Sequence, residues 1–576
     1  MSRICIKITG ESGAGLLSTG EIVIMALKNL GFYVVADREY PSLIKGGHSC
    51  YMINASEKPI HSLSKKVDFM LAIDKQSLEA YYQDLEKGSC LVYGYERPLG
   101  VKEIIAELLV KKVKIVHQHV RQIAESNGGN VLVTNVVLVG MLWKVLGLPY
   151  SAVEEAVRTK FASKPKILEI DLKCVKAGFD SVEEGVKIRV PDSKKDTILI
   201  DGNRALALGA IHAGCRAYYA YPMSPSSSIL TYMADMAKKY QILVKQGEDE
   251  ITVANMTLGS MFMGTRALCA TSGGGFDLMT ETVSLAGMIE NPFVVIVAQR
   301  PGPATGLPTW TAQADLNMAI HSAHGEFPKI VIAVSDATDG FDLIQHAFNF
   351  AEKFQCVVIV LTEKVIAETN KTVAGFVMDK IKIERGLVEG SELKNLENSD
   401  RFKVTDSGLS KRWLPGSSRA YYFANGDEHW EDGSLSEDSP RTAVMYDKRM
   451  RKMNLIEEAM PEPEVYGARK GADISFVGWG SSKNVMLDII HMYAEKGVKV
   501  NYLHYSFVFP LKTKVLKNFF KENGNVNLIE GNYNGQLGDL VEAKLDVKFK
   551  KRLLKYDGRA FFVEDVVDFI KKNSKK

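Results

Sequence analysis

Short apolar runs rich in β-branched residues alternate with longer amphipathic stretches along the first third of the chain. RICIKIT (residues 3–9) is followed by the glycine turn GESGAG, a stretch with helical spacing from Leu16 to Leu30, and a second run, GFYVVAD. Runs of this length indicate buried strands, whereas apolar residues spaced three and four apart indicate a helix. Because the alternation continues through VDFMLAID, SCLVYGY and VKIVHQHV, we predict a mainly parallel sheet covered by helices up to about Gly185.

The same alternation returns twice further along the chain. It resumes at TILIDGN, after a charged stretch containing Pro191 that is typical of a linker, and it opens a last unit at ADISFVGWGSS. Between these units the periodicity weakens, and we expect an irregular connection with one helix from about Arg441 to Met460. The predicted fold class is α/β, with several mainly parallel domains. The predicted boundaries are residues 1–189 and 197–366 for the first two domains, 190–196 for the linker, 367–469 for the connection and 470–576 for the last domain.

One apolar stretch is long enough to raise the question of a membrane span. VLVTNVVLVGMLWKVLGL, from Val131 to Leu148, is interrupted by Asn135 and Lys144. A span needs about 20 consecutive apolar residues, so this stretch predicts a buried helix and we expect no membrane segment. The N-terminus also lacks the pattern of an export signal, and the expected location is the cytoplasm.

Composition narrows the possible function classes. The 576 residues include 72 basic and 69 acidic ones, a balance that does not favour nucleic acid or an anionic membrane as a partner. The seven cysteines are scattered and contain no C-x-x-C pair, so the sequence offers neither a local zinc site nor a local set of iron–sulfur ligands. We therefore expect no metal site on this chain, and scattered thiols suit a reducing compartment.

The glycine turn near the N-terminus has more than one interpretation. GESGAG lies between a predicted strand and a predicted helix, where glycines let a backbone approach a pyrophosphate, and Asp37 ends the next strand. However, its glycines occupy positions one, four and six instead of the one, three and six of the dinucleotide fingerprint. A tight turn, or a site for another phosphate-bearing ligand, is therefore favoured over NAD or flavin.

Loops of the second domain carry the candidate chemistry. In YPMSPSSS two prolines flank Ser224 and would present its hydroxyl on a stiff loop, although an ordinary capping serine fits the segment as well. In GEDEITV three carboxylates stand where a helix begins, and carboxylates there complement the helix dipole without any catalytic role. Arg300 ends the strand VVIVAQ, where it could bind a carboxylate in bidentate fashion or form a surface salt bridge. TSGGGFDLM, RPGPATGLPT and HGEFP add further glycine- or proline-rich loops near strand ends, where ligands bind in open α/β sheets.

Together, YPMSPSS, the acidic helix start, TSGGGFDLM, RPGPATGLPT and HGEFP resemble the alpha subunit of the 2-oxoacid:ferredoxin oxidoreductase family. IKGGHSCYMINAS, from Ile44, resembles the family's gamma subunit, which implies a gamma domain fused ahead of alpha. GDEHWEDG, GWGSS, FVFPL and EGNYNGQLGDL extend the similarity to nearly the whole chain. The resemblance implies that residues 197–366 form a thiamine pyrimidine-binding domain and that the last domain is similar to the C-terminal domain of transketolase.

The resemblance also implies roles for individual residues. Glu250, in preference to Glu248, is implied to hydrogen-bond the aminopyrimidine ring of thiamine diphosphate and to be the catalytic carboxylate, because it stabilises the tautomer that removes the thiazolium proton. The other residues implied to bind the cofactor are Tyr221, Pro222 and Met223, and those implied to bind the oxoacid are Ser224, Arg300 and Thr305. Most relatives have threonine in place of Ser224 and serine in place of Ala304, which bears on substrate choice more than on the reaction.

The implied reaction is the coenzyme-A-dependent oxidative decarboxylation of a 2-oxoacid, with electrons passed to ferredoxin. A beta subunit is expected to carry the Mg²⁺ and diphosphate sites and a [4Fe-4S] cluster, in an (alpha-beta)2 assembly that shares the thiamine diphosphate. The fused gamma domain favours 2-oxoglutarate over pyruvate or a broad range of oxoacids. The segment from Lys45 to His48 is a candidate for coenzyme A contacts, or simply a solvated loop.

Four other functions are weighed against this one. A lipoamide-linked dehydrogenase component, a transketolase-like enzyme and an indolepyruvate-type enzyme are alternatives that use the same cofactor. A catalytically silent scaffold or nucleotide-binding subunit is the alternative from a different class, because a fold can be kept after activity is lost.

Overall fold

The structure is a computed structural model that describes residues 3–11, 13, 15–41, 47–95, 101–193 and 196–573. The chain forms two compact units. Unit 1 consists of Met1–Ile200, Thr369–Gly375 and Phe562–Asp565, and unit 2 consists of Asp201–Glu368, Phe376–Phe561 and Val566–Lys576.

The strands and helices of the described residues are numbered in chain order. The strands are β1 (Arg3–Glu11), β2 (Tyr33–Glu39), β3 (His48–Ser56), β4 (Phe69–Ala72), β5 (Cys90–Tyr93), β6 (Lys114–His117), β7 (Ile198–Ile200), β8 (Ala217–Ala220), β9 (Leu243–Gln246), β10 (Ala267–Thr271), β11 (Phe293–Gln299), β12 (Lys329–Ala333), β13 (Val357–Glu363), β14 (Asn370–Val373), β15 (Glu464–Gly467), β16 (Ile474–Trp479), β17 (Val500–Tyr505), β18 (Phe507–Phe509), β19 (Val526–Glu530) and β20 (Arg552–Leu554). The α-helices are α1 (Leu16–Asn29), α2 (Lys75–Tyr81), α3 (Lys102–Val110), α4 (Val120–Ser126), α5 (Thr134–Val145), α6 (Tyr150–Phe161), α7 (Pro165–Asp180), α8 (Gly202–His212), α9 (Ser227–Tyr240), α10 (Glu250–Phe262), α11 (Gly273–Leu278), α12 (Thr280–Met288), α13 (Leu316–His321), α14 (Ala337–Phe354), α15 (Lys364–Glu368), α16 (Ser439–Ala459), α17 (Ser482–Ala494), α18 (Lys514–Glu522), α19 (Gln536–Leu545) and α20 (Val563–Asn573).

Unit 1 is built on an eight-stranded sheet with the order β6-β5-β4-β1-β3-β2-β14-β7. The prediction that this sheet is mainly parallel is wrong, because only the pairs β1–β4, β4–β5 and β5–β6 are parallel. The sequence analysis does not identify β3, which lies antiparallel between β1 and β2. The link from Glu39 to His48 is short enough for an antiparallel neighbour, whereas a parallel one needs a crossover of about a dozen residues.

Two helices of unit 1 confirm their predictions. The stretch predicted from Leu16 forms α1, and the long apolar stretch contains α5, nine of whose residues are buried. Among the described residues, no single helix combines the length and apolarity of a membrane span, although α4 and the segment from Val131 to Val145 reach that length as a pair bent by 115°.

Two strands of the unit 1 sheet come from distant parts of the sequence. The strand in TILIDGN, predicted to open the second domain, forms β7 at the edge of this first sheet. β14 lies antiparallel between β2 and β7, and Val34 N donates to Thr372 Oγ1 over 2.9 Å. Unit 1 therefore ends after Ile200 and takes a strand from the predicted connection, because a local pattern does not show which sheet a short strand joins.

A seven-stranded sheet in unit 2 has the order β18-β12-β13-β11-β10-β8-β9 and is parallel except at β18. β10, β11 and β13 are buried along their whole length, as expected for a parallel sheet covered on both faces. Because the strands are parallel, their carboxyl ends lie along one edge of the sheet. The loops that follow β8, β9, β10 and β11 begin at that edge.

The last sheet has the order β15-β17-β16-β19-β20 and is parallel except at β15, so the predicted α/β fold class is confirmed. Polar residues of GWGSS and EGNYNGQLGDL join this sheet to the seven-stranded one. Gln313 Nε2 donates to Glu363 Oε1 over 2.7 Å and to the Trp479 carbonyl over 2.9 Å, while Gly531 N donates to Gln313 Oε1 over 2.6 Å. These motifs therefore have a structural role between two layers of unit 2.

The structure describes every residue from 376 to 438 of the predicted irregular connection, and this part contains only two 3₁₀ turns. The helix predicted within the connection is confirmed as α16. Buried charges fix α16 to the rest of unit 2. The Glu290 carboxylate pairs with the ammonium groups of Lys448 and Lys452, and all three side chains are no more than 1 % exposed. Burial raises the pKa of Glu290, but the two lysines outweigh burial and hold that pKa well below its usual value.

Candidate active site

Glu250 is the first residue of α10, and one oxygen of its carboxylate lacks a partner in the described part of the chain. The neighbouring Asp249 caps the helix by accepting a hydrogen bond from Thr252 N over 2.7 Å. Glu250 is only 4 % exposed, and its Oε1 atom is buried without a hydrogen bond among the described residues. Glu248, by contrast, is exposed. Because Asp249 does the capping, helix capping does not explain Glu250, and an orphaned buried carboxylate oxygen indicates a missing ligand.

Glycine in TSGGGFDLM makes room for this carboxylate. A Cβ atom at Gly275 would lie 2.8 Å from Glu250 Oε1 and would overlap Thr271 Oγ1. A Cβ atom at Gly274 would meet nothing within 4 Å. The first turn of α11 therefore packs directly on Glu250 at Gly275, and any side chain there would displace the carboxylate.

Arg300 and Ser224 lie together at the same edge of the sheet. Arg300 follows β11 and donates from Nη1 to the Ser224 carbonyl oxygen over 2.8 Å. Met223 lies in the same loop as Ser224, and its sulfur accepts a weak hydrogen bond from Thr271 Oγ1 over 3.7 Å. The loops after β8, β10 and β11 thus converge, as expected for a ligand site at the carboxyl edge of an open sheet.

Three predicted site residues have a looser relation to this group. Tyr221 and Pro222 are exposed, next to Met223. Thr305 is exposed as well, and no hydrogen bond among the described residues joins it to Arg300 or Ser224. It belongs to a tight loop in which Leu307 N donates to the Pro301 carbonyl oxygen over 3.0 Å. The roles of these three residues stay predictions.

The sequence analysis misses two polar residues of this site. Asp315 and Ser272 both stand just before a helix, which is the position of a capping residue, but neither side chain makes a capping hydrogen bond. Asp315 Oδ2 and Ser272 Oγ are instead buried without a partner in the described structure. A Cβ atom at Gly273 would lie 2.8 Å from Asp315 Oδ2. In the sequence, Asp315 is a carboxylate that follows the RPGPATGLPT loop and precedes a helix, and this pattern predicts an ordinary helix cap.

The electrostatics of the site are dominated by burial. Burial, with a smaller contribution from Asp277, raises the pKa of Asp315 to about 6, although the Arg300 guanidinium opposes the shift. Burial also lowers the pKa of Arg300, and Asp315 counteracts that shift. The site thus combines one guanidinium with two carboxylates, and the buried atoms Glu250 Oε1 and Asp315 Oδ2 have no hydrogen-bond partner within the described ranges.

Two further motifs lie beside the site. Residues of the HGEFP segment, including His324 and Phe327, line a cavity of about 260 Å³ together with Ile251 and Asn255 of α10. His429 of GDEHWEDG is fully buried, with its ring 4.3 Å from that of Phe402. The proposed coenzyme A segment lies partly outside the described residues, since Lys45 is not among them.

Two sequence families match the chain. The family described as pyruvate ferredoxin/flavodoxin oxidoreductase matches residues 5–181. The family described as pyruvate flavodoxin/ferredoxin oxidoreductase, thiamine diphosphate-binding, matches residues 208–434, which contain Glu250, Arg300 and Asp315.

Two relatives and one solved structure match over nearly the whole length. The chain is 31% identical to the 2-oxoacid:ferredoxin oxidoreductase subunit alpha of a Sulfolobus species, over 98% of this chain and 96% of the relative. It is 26% identical to the 2-oxoglutarate oxidoreductase subunit KorA of Mycobacterium tuberculosis, over 99% and 91% of the two chains. The 2-oxoglutarate:ferredoxin oxidoreductase of Magnetococcus marinus, solved with 2-oxoglutarate, coenzyme A and succinyl-CoA bound, is 28% identical with a TM-score of 0.91 over 100% of both chains.

Proposed function

Since this chain belongs to the 2-oxoacid:ferredoxin oxidoreductase family, as an alpha subunit of a thiamine-diphosphate-dependent enzyme, we propose that Glu250 is its catalytic carboxylate. The observation that carries the proposal is the buried Oε1 atom of Glu250, which faces Gly275 and has no partner among the described residues. Family membership also removes the transketolase-like and lipoamide-linked alternatives.

The residues present suit an aminopyrimidine ring. Glu250 would accept a hydrogen bond from a ring nitrogen and hold the proton that moves between the carboxyl group and that nitrogen. Thiamine diphosphate, when bound, supplies the nucleophilic carbon for the 2-oxoacid carbonyl and takes up the electron pair left by decarboxylation. Because Gly275 has no side chain, it leaves space beside the Glu250 carboxylate. Pro222 and Met223 would line the same cofactor site from the loop that follows β8.

The oxoacid is proposed to bind next to this carboxylate. Arg300 would pair with the substrate carboxylate, because a planar guanidinium matches two carboxylate oxygens. Its hydrogen bond to the Ser224 carbonyl leaves the other guanidinium nitrogens available for that role. The Ser224 hydroxyl would hydrogen-bond the oxoacid, and Thr305 would approach from the 301–307 loop.

The rest of the reaction is proposed to need other polypeptides. We propose that a beta subunit binds the diphosphate, Mg²⁺ and a [4Fe-4S] cluster in an (alpha-beta)2 complex, and that ferredoxin accepts the electrons. All seven cysteines of this chain are buried and free, and their separation is consistent with a cluster held elsewhere. We also propose a cytoplasmic location, because scattered thiols suit a reducing compartment.

For the substrate we propose 2-oxoglutarate, with coenzyme A as acyl acceptor. Support comes from the Mycobacterium tuberculosis relative and the Magnetococcus marinus structure, whose names include 2-oxoglutarate. The Sulfolobus relative carries only the broader name of a 2-oxoacid enzyme. The gamma region would contact coenzyme A near Lys45 to His48.

Glu250→Gln tests the catalytic proposal. Glutamine keeps the shape but cannot exchange the proton, so we expect turnover to fall by about 100-fold or more. The chain is co-expressed with its beta subunit, and coenzyme-A-dependent reduction of a one-electron acceptor is measured with 2-oxoglutarate, pyruvate and branched oxoacids. Glu248→Gln, two residues away and exposed, should behave as the unchanged enzyme. Full activity of Glu250→Gln would reject the assignment, and inactivity of the unchanged pair with every oxoacid would favour the scaffold.

Arg300→Ala tests the substrate site. Loss of the guanidinium should raise the Michaelis constant for every oxoacid tested by about tenfold or more, since a charge-assisted pair is lost. The constant for coenzyme A should stay within about twofold. An effect confined to coenzyme A would show that Arg300 does not bind the oxoacid.

A further inference from the structure

Unit 1 contains a cavity that the proposed reaction does not use. Its volume is about 430 Å³, within the range of small-molecule sites. It lies between α1, α5 and α7, beside the segment from Gly128 to Val133. The exposed side chains of Leu132 and Ile167 are part of its lining, so the cavity opens to the surface.

A carboxylate stands at the inner end of this cavity. Asp171 lies on the buried face of α7 with Cys174, Val175 and Gly178, where the helical spacing calls for an apolar residue. Its side chain is 1 % exposed, and both carboxylate oxygens are buried without a hydrogen bond in the part of the chain that the structure describes. Buried carboxylates are rarely left without a partner, because desolvation of the charge is costly.

None of the described residues that line the cavity offers this carboxylate a countercharge. Thr19 and Ile22 of α1 and Val136 and Val139 of α5 line the cavity and carry no charge. Asp171 interacts with the Cys174 thiol on its own helix, and this thiol carries no positive charge in either protonation state. Burial is the cause that raises the pKa of Asp171, to about 6. At neutral pH the carboxylate is therefore largely ionised, shielded from bulk water and unpaired.

The rest of the lining indicates the shape of a complementary ligand. Apolar walls come from Ile22, Val136, Val139, Phe161 and Ile167. Hydrogen-bonding side chains are contributed by Ser18, Thr19, Asn130 and Asn135. An ionised carboxylate at the end of an apolar cavity pairs best with a cationic donor that carries an apolar body.

We propose that this cavity binds a small organic ammonium ion, with the ammonium group on Asp171 and an apolar body against α1 and α5. The ligand would supply the missing hydrogen bonds to both carboxylate oxygens. The site is built from residues of unit 1, whereas Glu250 belongs to unit 2, and the proposal does not depend on the oxidoreductase function.

Binding of 2-phenylethylamine to the full chain tests the proposal, with 2-phenylethanol as a neutral probe of similar shape. By calorimetry at about pH 7.5, we expect the amine to bind at least about tenfold more tightly than the alcohol, since its hydrogen bonds are charge-assisted. The preference should disappear near pH 5, where Asp171 is protonated. Asp171→Asn should abolish it, whereas Asp180→Asn, an exposed carboxylate on the same helix, should leave it intact.

A second variant separates the cavity from the charge. Ser18→Phe fills the cavity while Asp171 stays in place, so both probes should lose binding. Three results would overturn the proposal. They are equal affinity for the amine and the alcohol, amine binding that Asp171→Asn or Ser18→Phe leaves unchanged, and no amine binding at about 10 mM.

Discussion

At the residue scale, Asp315 shows how one buried carboxylate couples the site to pH. Its pKa is raised to about 6 by burial and Asp277, against an unfolded value of about 4. A raised pKa in the folded state means that ionisation opposes folding. Its contribution to stability is therefore complete below about pH 4 and is lost as the pH rises through about 6.

Asp315→Asn should remove this pH dependence. The variant should be more stable than the unchanged chain by about 3 kcal/mol near pH 8 and no more stable near pH 4. Denaturant midpoints measured across that pH range check the result. Asp277→Asn should keep most of the pH dependence, because burial is the larger cause. An equal stability difference at both pH values would contradict the assignment.

At the element scale, the first turn of α11 depends on glycine at one position and not at its neighbour. Gly275→Ala would push a methyl group against Thr271 Oγ1 and Glu250 Oε1, so we expect weaker thiamine binding and a loss of about 1 to 3 kcal/mol of stability. Gly274→Ala meets open space and should leave both unchanged or slightly improved. Thiamine content of the purified complex and its melting temperature distinguish the two variants. Equal behaviour would show that Gly275 does not position Glu250.

The same scale shows what the sequence can predict. α1 follows from apolar residues at helical spacing, α5 from a long apolar stretch, and the buried strand β11 from the continuous apolar run VVIVAQ. α16 was predicted too, although it lies where the periodicity weakens. β3, however, pairs with strands on both sides, and this pairing depends on contacts that no local pattern records. In the site, Glu250 was found through a family motif, whereas Asp315 has the same local signal as a helix cap. Only its missing capping bond in three dimensions sets it apart.

At the scale of the whole molecule, buried ion pairs hold α16 in unit 2. Glu290→Gln would leave the ammonium groups of Lys448 and Lys452 without a carboxylate, and we expect a loss of about 3 to 5 kcal/mol at neutral pH. Since the Glu290 pKa is lowered in the fold, its contribution is present above about pH 4 and is lost as the pH falls below that value. Denaturant unfolding at pH values of about 7 and 3 checks both statements. Glu281→Gln, on an exposed side chain, is the control, and a Glu290→Gln variant as stable as this control would argue against the ion-pair account.

The placement of β7 and β14 has a consequence for how this polypeptide can be divided. The chain leaves the eight-stranded sheet after β7, forms strands β8 to β13 of the seven-stranded sheet and then returns to supply β14, which lies against β2. A protease that cleaved once between Val190 and Asp196 would therefore produce two fragments that share one sheet. The N-terminal fragment alone would expose the edge of β2, so a gene encoding only residues 1–189 would give a protein that lacks two of its eight strands and is prone to associate through that edge.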